Sequence, residues 1–264
     1  MSWFEAVILG LVQGLTEFLP VSSSGHLTIA KQLFGIETGD LTFEIVVHAA
    51  TVLATIVVFR KEILNLLQDL FKFRWNGGTR YFAMICVSMI PVLVVGLFLK
   101  DKVEAVFGSG LAVVGACLLV TAGLLMLSEI LAARAKKEGE MNFKTAAWMG
   151  VAQAVAVLPG LSRSGSTIAT GLMCGTKRSE VAQFSFLMVL VPILGEAFLD
   201  LVGGEMTASS GIGTMPLVLG FLAAFVSGVF ACRVMVALVR RAKLKWFAIY
   251  CCIVGLACLI SQLF

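Results

Sequence analysis

The chain alternates long runs of apolar residues with short polar segments. Six of the apolar runs are long enough to cross the hydrocarbon core of a bilayer, which takes about 20 helical residues. These runs cover residues 42–59, 81–99, 111–131, 181–199, 216–239 and 246–263. The pattern therefore predicts six transmembrane helices.

Two other apolar segments, 3–35 and 145–175, are each interrupted by a polar stretch. The interruptions, LPVSSSGH and LPGLSRSGST, leave arms of about 13 residues, which reach only about 20 Å at 1.5 Å per residue. An arm of that length is too short to cross alone, so each segment is predicted to form a re-entrant helical hairpin. Because irregular backbone at membrane depth is tolerated only inside protein or beside water, the two hairpin tips are expected to meet.

The two interrupted segments repeat one another at an offset of 140 residues. The paired residues are Gly10 with Gly150, Gln13 with Gln153, Ser22 with Ser162, Ser24 with Ser164, Gly25 with Gly165 and Gly35 with Gly175. Three spans follow each hairpin, and an odd number turns the second copy upside down relative to the first. The sequence therefore predicts an all-α polytopic membrane protein with a single membrane domain over 1–264, built from inverted-topology repeats at 1–135 and 140–264.

The composition supports membrane insertion, since 59% of the 264 residues are hydrophobic, only 14% are charged and the mean hydropathy is +0.99. The formal net charge of +4 does not indicate nucleic-acid binding, because the Lys and Arg residues gather in a few short loops. The seven cysteines lie almost all inside apolar runs without metal-binding spacing, and are predicted to pack as small apolar residues. The N-terminus lacks the basic segment of a signal peptide, so no cleavage is expected.

Clusters of basic residues predict the orientation, because cytoplasmic loops carry an excess of Lys and Arg. Loops 60–80, 132–144 and 240–245 are rich in these residues and are predicted to be cytoplasmic. Loops 100–110 and 200–215 carry few or none and are predicted to lie outside. This orientation requires the first hairpin to enter from the outside and the second from the cytoplasm.

The first tip carries side chains suited to catalysis. Gln13 and Glu17 share one helix face, and a carboxylate near membrane depth is a functional candidate by default. The pair is predicted to hold a divalent cation, since hard cations prefer oxygen ligands. Ser22 and Ser23 precede a helical segment, as N-capping residues do, and at least one of the serines is expected only to cap. His26 follows within reach of hydroxyls and the carboxylate, which favours acid–base chemistry over a structural role.

The second tip carries positive charge and hydroxyl groups at the start of a helix. Arg163 lies among Ser162, Ser164 and Thr167. Helix N-termini and arginine both favour phosphate oxygens, so one anion is expected to bridge the two tips. The combined residues predict phosphoryl chemistry on an anionic molecule that resides in the membrane, which is a lipid phosphate.

The motifs QGLTEFLPVSSSGH and LPGLSRSGST resemble the two signatures of the undecaprenyl-diphosphatase family of bacterial membranes, the bacitracin-resistance type. The likeness runs from about Glu5 to the C-terminus and includes the number of spans and the paired hairpins. It implies hydrolysis of undecaprenyl diphosphate to the monophosphate and inorganic phosphate, which recycles the lipid carrier of cell-wall precursors. It also implies a requirement for Mg²⁺ or Ca²⁺, location in the bacterial cytoplasmic (inner) membrane and a site open to the periplasmic side.

The resemblance implies Glu17, Ser23 and His26 as catalytic residues and Arg163 as the main phosphate ligand. Supporting contacts are expected from Gln13, Ser22, Ser162, Ser164 and Thr167. Gln13 departs from the acidic form of the first motif and brings no charge, so Glu17 is the main candidate for the metal ligand. Two nucleophiles fit these residues: Ser23 through a phosphoserine, or a water activated by Glu17 or His26.

Two further polar residues, Glu44 and His48, share one face of the run 42–59. His48 is predicted to pack without a catalytic role. For Glu44, the sequence favours neither a place in the site nor a place outside it. A stripe of small residues, Gly220, Ala224 and Gly228, lets helices approach closely. Packing inside the chain and a homodimer explain this stripe equally well.

Two rival functions differ from hydrolysis by the resembled family. A polyprenyl-phosphate flippase or another transporter fits the inverted repeats, and it would move its substrate without releasing phosphate. A phosphatase of the type-2 phosphatidic acid class needs a second histidine after its Ser-Arg motif, and no histidine follows Arg163. A purely structural protein would not explain the hydroxyls and the arginine gathered at two matched tips.

Overall fold

The structure is a computed structural model that describes residues 1–36, 42–99, 110–134, 138–193, 195, 212–241 and 244–263. Within these ranges the regular structure is helical, apart from an isolated bridge between Gly139 and Thr176. The predicted helical class is therefore confirmed. The predicted outer loops at 100–110 and 200–215 fall almost entirely outside the described residues, as does the end of the run 181–199.

The helices are numbered here in chain order. They are α1 (Trp3–Phe18), α2 (Ser23–Phe34), α3 (Thr42–Val58), α4 (Arg60–Leu70), α5 (Gly77–Phe98), α6 (Gly110–Arg134), α7 (Phe143–Val155), α8 (Arg163–Met173), α9 (Arg178–Met188), α10 (Thr214–Arg241) and α11 (Lys245–Ile260).

Three helices of the described part are long and apolar enough to cross a membrane: α5, α6, and α10 over Thr214–Val239. A fourth span results if α3 and α4 count together, although the chain bends by 74° between them. Helix α11 is apolar but has only 16 residues. The predicted run 181–199 is not one continuous helix, because α9 ends at Met188 and a turn follows. The described residues therefore contain three to four spans where the apolar runs predict six.

The segment 60–80 is corrected by the structure. The sequence analysis treats it as a basic loop, but Arg60–Leu70 form helix α4. Its leucines and isoleucine recur at helical spacing, and none of its residues is buried. Basic residues predict a loop here, whereas the amphipathic spacing favours the helix that the structure shows.

Both interrupted segments fold as the predicted pairs of short helices, α1 with α2 and α7 with α8. Their second helices begin in the same way. Ser22 and Ser162 are the N-caps, and their hydroxyls accept from the Gly25 and Gly165 amides at 3.3 and 3.0 Å. The matched sequence pairs therefore perform the same local task in both segments.

Each hairpin packs on a long helix of the other half of the chain. Helix α1 lies along α10, α7 lies along α5, and α6 lies along α11. Glycines allow the closest approaches: a Cβ added at Gly10 would lie 2.3 Å from the Gly220 carbonyl oxygen. A Cβ added at Gly150 would lie 2.3 Å from the Ser88 carbonyl oxygen. Helices α1 and α7 therefore contact the backbone of α10 and α5 directly.

The small-residue stripe of α10 is used inside the chain. A Cβ at Gly220 would lie 2.6 Å from the Phe43 ring, and one at Gly228 would lie 3.2 Å from Ala54. Ala224 between them is fully buried. Contact between α10 and the helices α1 and α3 explains this stripe without a second copy of the chain.

The cysteines only partly follow the prediction of a packing role. Cys232, Cys251 and Cys258 are buried, whereas Cys86 and Cys174 are exposed on the surface of the chain. All seven are free thiols. Position inside an apolar run therefore does not decide whether a cysteine faces the protein interior, because half of an apolar helix surface faces outward in a membrane protein.

Candidate active site

The tips of the two hairpins touch. A Cβ added at Gly25 would lie 3.1 Å from the Gly160 Cα, and one added at Gly165 would lie 3.3 Å from the Pro20 Cβ. The Ser164 hydroxyl donates to the backbone carbonyl of Leu19 at 3.1 Å. A side chain at either position would require the facing tip to shift by a few tenths of an ångström. The sequence motifs, distant along the chain, therefore form one site.

Glu17 is the centre of this site. Its Oε1 accepts from Arg163 Nη2 at 2.8 Å, and its Oε2 accepts from Ser23 Oγ at 2.5 Å and from Gln13 Nε2 at 3.0 Å. Only 8% of the Glu17 side chain is exposed. The carboxylate lies in the last turn of α1, where the helix dipole disfavours an anion. The guanidinium of Arg163, the first residue of α8, supplies the compensating charge.

His48 also lies beside Glu17, although the sequence analysis assigned it a packing role. Its Nε2 is 3.7 Å from Glu17 Oε2, and its Nδ1 is 2.8 Å from the Glu44 backbone carbonyl oxygen. The Glu44 carboxylate itself forms an ion pair with Lys31. An ionisable residue within an apolar span is a functional candidate by default, and this general signal would have identified His48.

His26 faces away from the carboxylate toward helix α11. Its Nδ1 lies 2.7 Å from the Ser22 carbonyl oxygen, and its Nε2 lies 2.8 Å from the Tyr250 hydroxyl. The two rings are stacked, with centroids 5.6 Å apart and an interplanar angle of 11°. Tyr250 did not emerge from the sequence, because nothing in its own neighbourhood marks it as close to a tip.

The predicted phosphate-binding hydroxyls mostly have partners inside the protein. Ser22 and Ser162 are buried caps, and Ser162 also lies 3.4 Å from the Ser164 hydroxyl. The Thr167 hydroxyl donates to the Arg163 carbonyl at 2.9 Å and lies 2.7 Å from the Ser185 hydroxyl. These side chains shape the second tip, while Arg163 is the group that points into the site.

A small cavity extends inward from the Glu17–Arg163 pair. Its volume is about 20 Å³, and its polar wall consists of these two residues with the hydroxyls of Ser164, Thr167, Thr51, Thr55 and Ser185. A space of this size holds about one water molecule. A diphosphate does not fit inside a space of this size.

The geometry agrees with what comparison with known proteins shows. The family described as Bacitracin resistance protein BacA matches residues 6–257. The chain belongs to this family. This membership confirms the resemblance drawn from the two motifs, and with the apolar helices it makes the chain a multi-pass membrane protein.

Relatives of this family match the chain over nearly its whole length. An undecaprenyl-diphosphatase of Bacteroides fragilis is 56% identical, and the match covers 100% of both chains. An undecaprenyl-diphosphatase of Carboxydothermus hydrogenoformans is 41% identical, covering 99% of this chain and 98% of the relative. One of Oceanobacillus iheyensis is 37% identical, covering 96% of this chain and 94% of the relative.

Proposed function

We propose that the protein hydrolyses undecaprenyl diphosphate to undecaprenyl phosphate and inorganic phosphate, and so recycles the lipid carrier of cell-wall synthesis. Full-length similarity to proteins named undecaprenyl-diphosphatase supports the substrate and the reaction. The observation that carries the proposal is the contact of the two tips, where one carboxylate meets both a serine hydroxyl and an arginine. Such a trio is suited to phosphoryl transfer.

Ser23 is the proposed nucleophile. Its hydroxyl donates to Glu17 across 2.5 Å, so Glu17 can accept the proton while Ser23 Oγ attacks the terminal phosphorus. The bond from phosphorus to the bridging oxygen breaks, and undecaprenyl phosphate leaves. Water then attacks the phosphoserine, inorganic phosphate departs, and Ser23 Oγ recovers a proton. Direct attack by water, with Glu17 as the base, is the alternative that Ser23→Ala tests.

Arg163 is the proposed ligand of the transferred phosphoryl group. Its guanidinium is 26% exposed and faces the carboxylate, so an incoming phosphate can replace Glu17 as its partner. This exchange would release Glu17 Oε1 at the moment when its other oxygen takes the Ser23 proton. The N-terminus of α8 adds backbone dipoles of the same sign, with Ser22, Ser162, Ser164 and Thr167 holding the tips in place.

His26 is proposed to exchange a proton with the nucleophile or the leaving group. A backbone carbonyl only accepts hydrogen bonds, so the contact with Ser22 places the hydrogen of the neutral ring on Nδ1. Nε2 is then the basic nitrogen, and it accepts from Tyr250. His26 would therefore exchange a proton with the substrate through Nε2, at the position that the Tyr250 hydroxyl occupies in this structure.

A divalent cation, Mg²⁺ or Ca²⁺, is proposed at Glu17 and Gln13. Gln13 is completely buried, and its Oε1 has no hydrogen-bond partner in the described structure, which fits a hard cation that prefers oxygen ligands. The described residues contain no cluster of three or more His, Cys, Asp or Glu suited to a metal, so substrate oxygens would complete the shell. When bound, such a cation supplies charge neutralisation for the diphosphate.

The proposed membrane layout has six spans and two re-entrant hairpins in inverted repeats, in the cytoplasmic membrane, with the site open to the periplasm. Reciprocal packing of α1 on α10 and of α7 on α5 supports the repeats. Reporter fusions test the orientation: a fusion at residue 75 is expected to report a cytoplasmic location and one at residue 208 an external location. The opposite signals would overturn the orientation.

Phosphate release from a polyprenyl diphosphate by the purified full chain, with and without Mg²⁺, tests the activity. Ser23→Ala is expected to lose at least about a thousandfold, Glu17→Gln about 10²–10⁴-fold and Arg163→Ala about 10²–10³-fold. Ser261→Ala, at the far end of α11, is the control and should keep wild-type activity. Transfer of lipid across vesicles without phosphate release would reject hydrolysis and favour a flippase.

A further inference from the structure

His48 stands next to Glu17 at a distance that hydrogen bonding does not explain. The separation of 3.7 Å between Nε2 and Oε2 exceeds the range of about 2.7–3.2 Å of an N–H···O hydrogen bond. The two side chains are only 29% and 8% exposed. A nitrogen and an oxygen of ligand type therefore face each other across a gap that is too wide for a direct bond.

The other ring nitrogen fixes the tautomer of the neutral imidazole. Nδ1 lies 2.8 Å from the Glu44 backbone carbonyl oxygen, which can only accept, so Nδ1 carries the hydrogen. Nε2 then turns a lone pair toward Glu17 Oε2. Histidines that bind metals commonly donate their second ring N–H to a backbone carbonyl or a carboxylate in this way.

Gln13 completes the surroundings of the same carboxylate oxygen. Its amide lies against Glu17 Oε2 through Nε2 at 3.0 Å, while the buried Oε1 is without a partner in the described ranges. Half a turn of the amide exchanges these two atoms. The amide oxygen would then face Glu17 Oε2, the carboxylate oxygen that lies 3.7 Å from His48 Nε2.

We propose that His48 is a third protein ligand of a divalent cation held at Glu17 and Gln13, and that the site therefore also accepts ions that bind nitrogen, such as Mn²⁺. The inference rests on the proposed function, because only that function calls for a cation here. Metal–ligand distances of about 2.0–2.2 Å allow one ion to touch both atoms of the 3.7 Å pair. A nitrogen donor raises the affinity for Mn²⁺, Co²⁺ or Zn²⁺ relative to Ca²⁺, which binds oxygen almost exclusively.

Pulsed electron paramagnetic resonance with Mn²⁺ as the probe tests this ligand, because the chain has only two histidines. Wild type and His26→Gln are both expected to show ¹⁴N coupling from a coordinated imidazole. His48→Gln, which keeps an oxygen donor, should bind Mn²⁺ without that coupling. His48→Ala should raise the Kd for Mn²⁺ by at least about tenfold. The ratio of Mn²⁺ affinity to Ca²⁺ affinity should fall in both His48 variants.

Matched glutamine variants provide the control. Gln13→Ala should weaken Mn²⁺ binding, whereas Gln153→Ala should not. Gln153 is the buried counterpart of Gln13 in the second tip, but the residue that corresponds to Glu17 there is Val157, which cannot bind a cation. Absent Mn²⁺ binding, bound Mn²⁺ without ¹⁴N coupling in wild type, or coupling that persists in His48→Gln would overturn the proposal.

Phosphate release in the same preparations separates this inference from the proposed function. Hydrolysis by the wild type without nitrogen coupling would reject His48 as a ligand and leave the activity intact. Nitrogen coupling without hydrolysis would support the ligand and reject the activity.

Discussion

Replacing Gly10 with alanine tests whether helix α1 is in direct contact with the backbone of α10. The added Cβ would lie 2.3 Å from the Gly220 carbonyl oxygen and 3.0 Å from the Ala223 Cβ. Ordinary nonbonded contacts begin at about 3.5 Å, so the helices must separate by roughly 1 Å. Neither contacting atom belongs to a flexible side chain that can rotate away. Overpacking of this kind costs about 1–3 kcal/mol.

Thermal unfolding followed by circular dichroism measures the loss of stability in Gly10→Ala. A destabilisation of that size is expected to lower the apparent Tm by roughly 2–12 °C in a protein of this length. The activity should fall as well, because the same arm carries Glu17 two turns later. A displacement of about 1 Å at a catalytic group can lower a rate about a hundredfold.

Two matched variants determine whether the close approach causes these effects. Gly150→Ala should behave like Gly10→Ala, because its Cβ would lie 2.3 Å from the Ser88 carbonyl oxygen. Gly123→Ala in α6 should raise stability by up to about 1 kcal/mol, because its Cβ would meet no heavy atom within 4 Å. If the two crowded variants unfold no earlier than Gly123→Ala and keep their activity, the proposed direct contact between the helices is wrong.

Three further predictions concern the caps and the surroundings of the site. Ser22 has a φ of 71°, so Ser22→Gly should lower the apparent Tm less than Ser22→Ala, which loses the cap and keeps the strained backbone. Tyr250→Phe removes the hydroxyl that faces His26 and should reduce phosphate release by up to about tenfold, the equivalent of one neutral hydrogen bond. Glu129→Ala should lower the thermal stability by about 1–3 kcal/mol, because the carboxylate, whose side chain is only 14% exposed, accepts from the Leu244 amide at 2.8 Å.

The variants at Ser22 and Glu129 have controls in the same chain. Ser162 caps its helix with an ordinary φ of −72°, so glycine relieves no backbone strain there. Ser162→Gly and Ser162→Ala should therefore differ in apparent Tm only as they do at an ordinary N-cap. Glu140 is 80% exposed, and Glu140→Ala should leave the apparent Tm within about 1 °C of wild type, as expected for a surface charge. A larger effect at Glu140 than at Glu129 would contradict the role given to the Glu129 carboxylate.

The hairpins and their caps were predictable because local chemistry determines them. Serine before a helix and glycine after it act within a few residues, so Ser22 and Ser162 are the N-caps in both copies. Gly35 and Gly175 both have a positive φ near the end of their helices, although Gly35 is the C-cap and Gly175 follows the C-cap Cys174. The contact between the two tips also followed, although from a different argument, whereas the direct ion pair of Glu17 with Arg163 was not predicted, because an anion was expected to bridge the tips. Polar backbone at membrane depth needs cover, and two such segments of opposite charge cover one another.

His48 and Tyr250 could not be placed by the same local rules. Both come from separate helices, and each reaches its tip through the packing of α3 and α11 rather than through its own sequence neighbours. The count of six spans was not confirmed for a related reason, since three to four spans are found in the described residues. Hydropathy identifies apolar residues, but it does not reveal the 74° bend after α3 or the turn after α9.

The two hairpins share a pair of short helices with a serine N-cap, and the chemistry arises where their sequences differ. Ser23 and Arg163 occupy the same position, the first residue of the second helix in each hairpin. Glu17 corresponds to Val157, and His26 corresponds to Ser166, whose buried hydroxyl has no partner in the described structure. Two identical tips would bring like charges together, two carboxylates or two guanidinium groups, and like charges at short range repel. Contact between the tips therefore requires that one copy keep the acid and the nucleophile while the other keeps the cation.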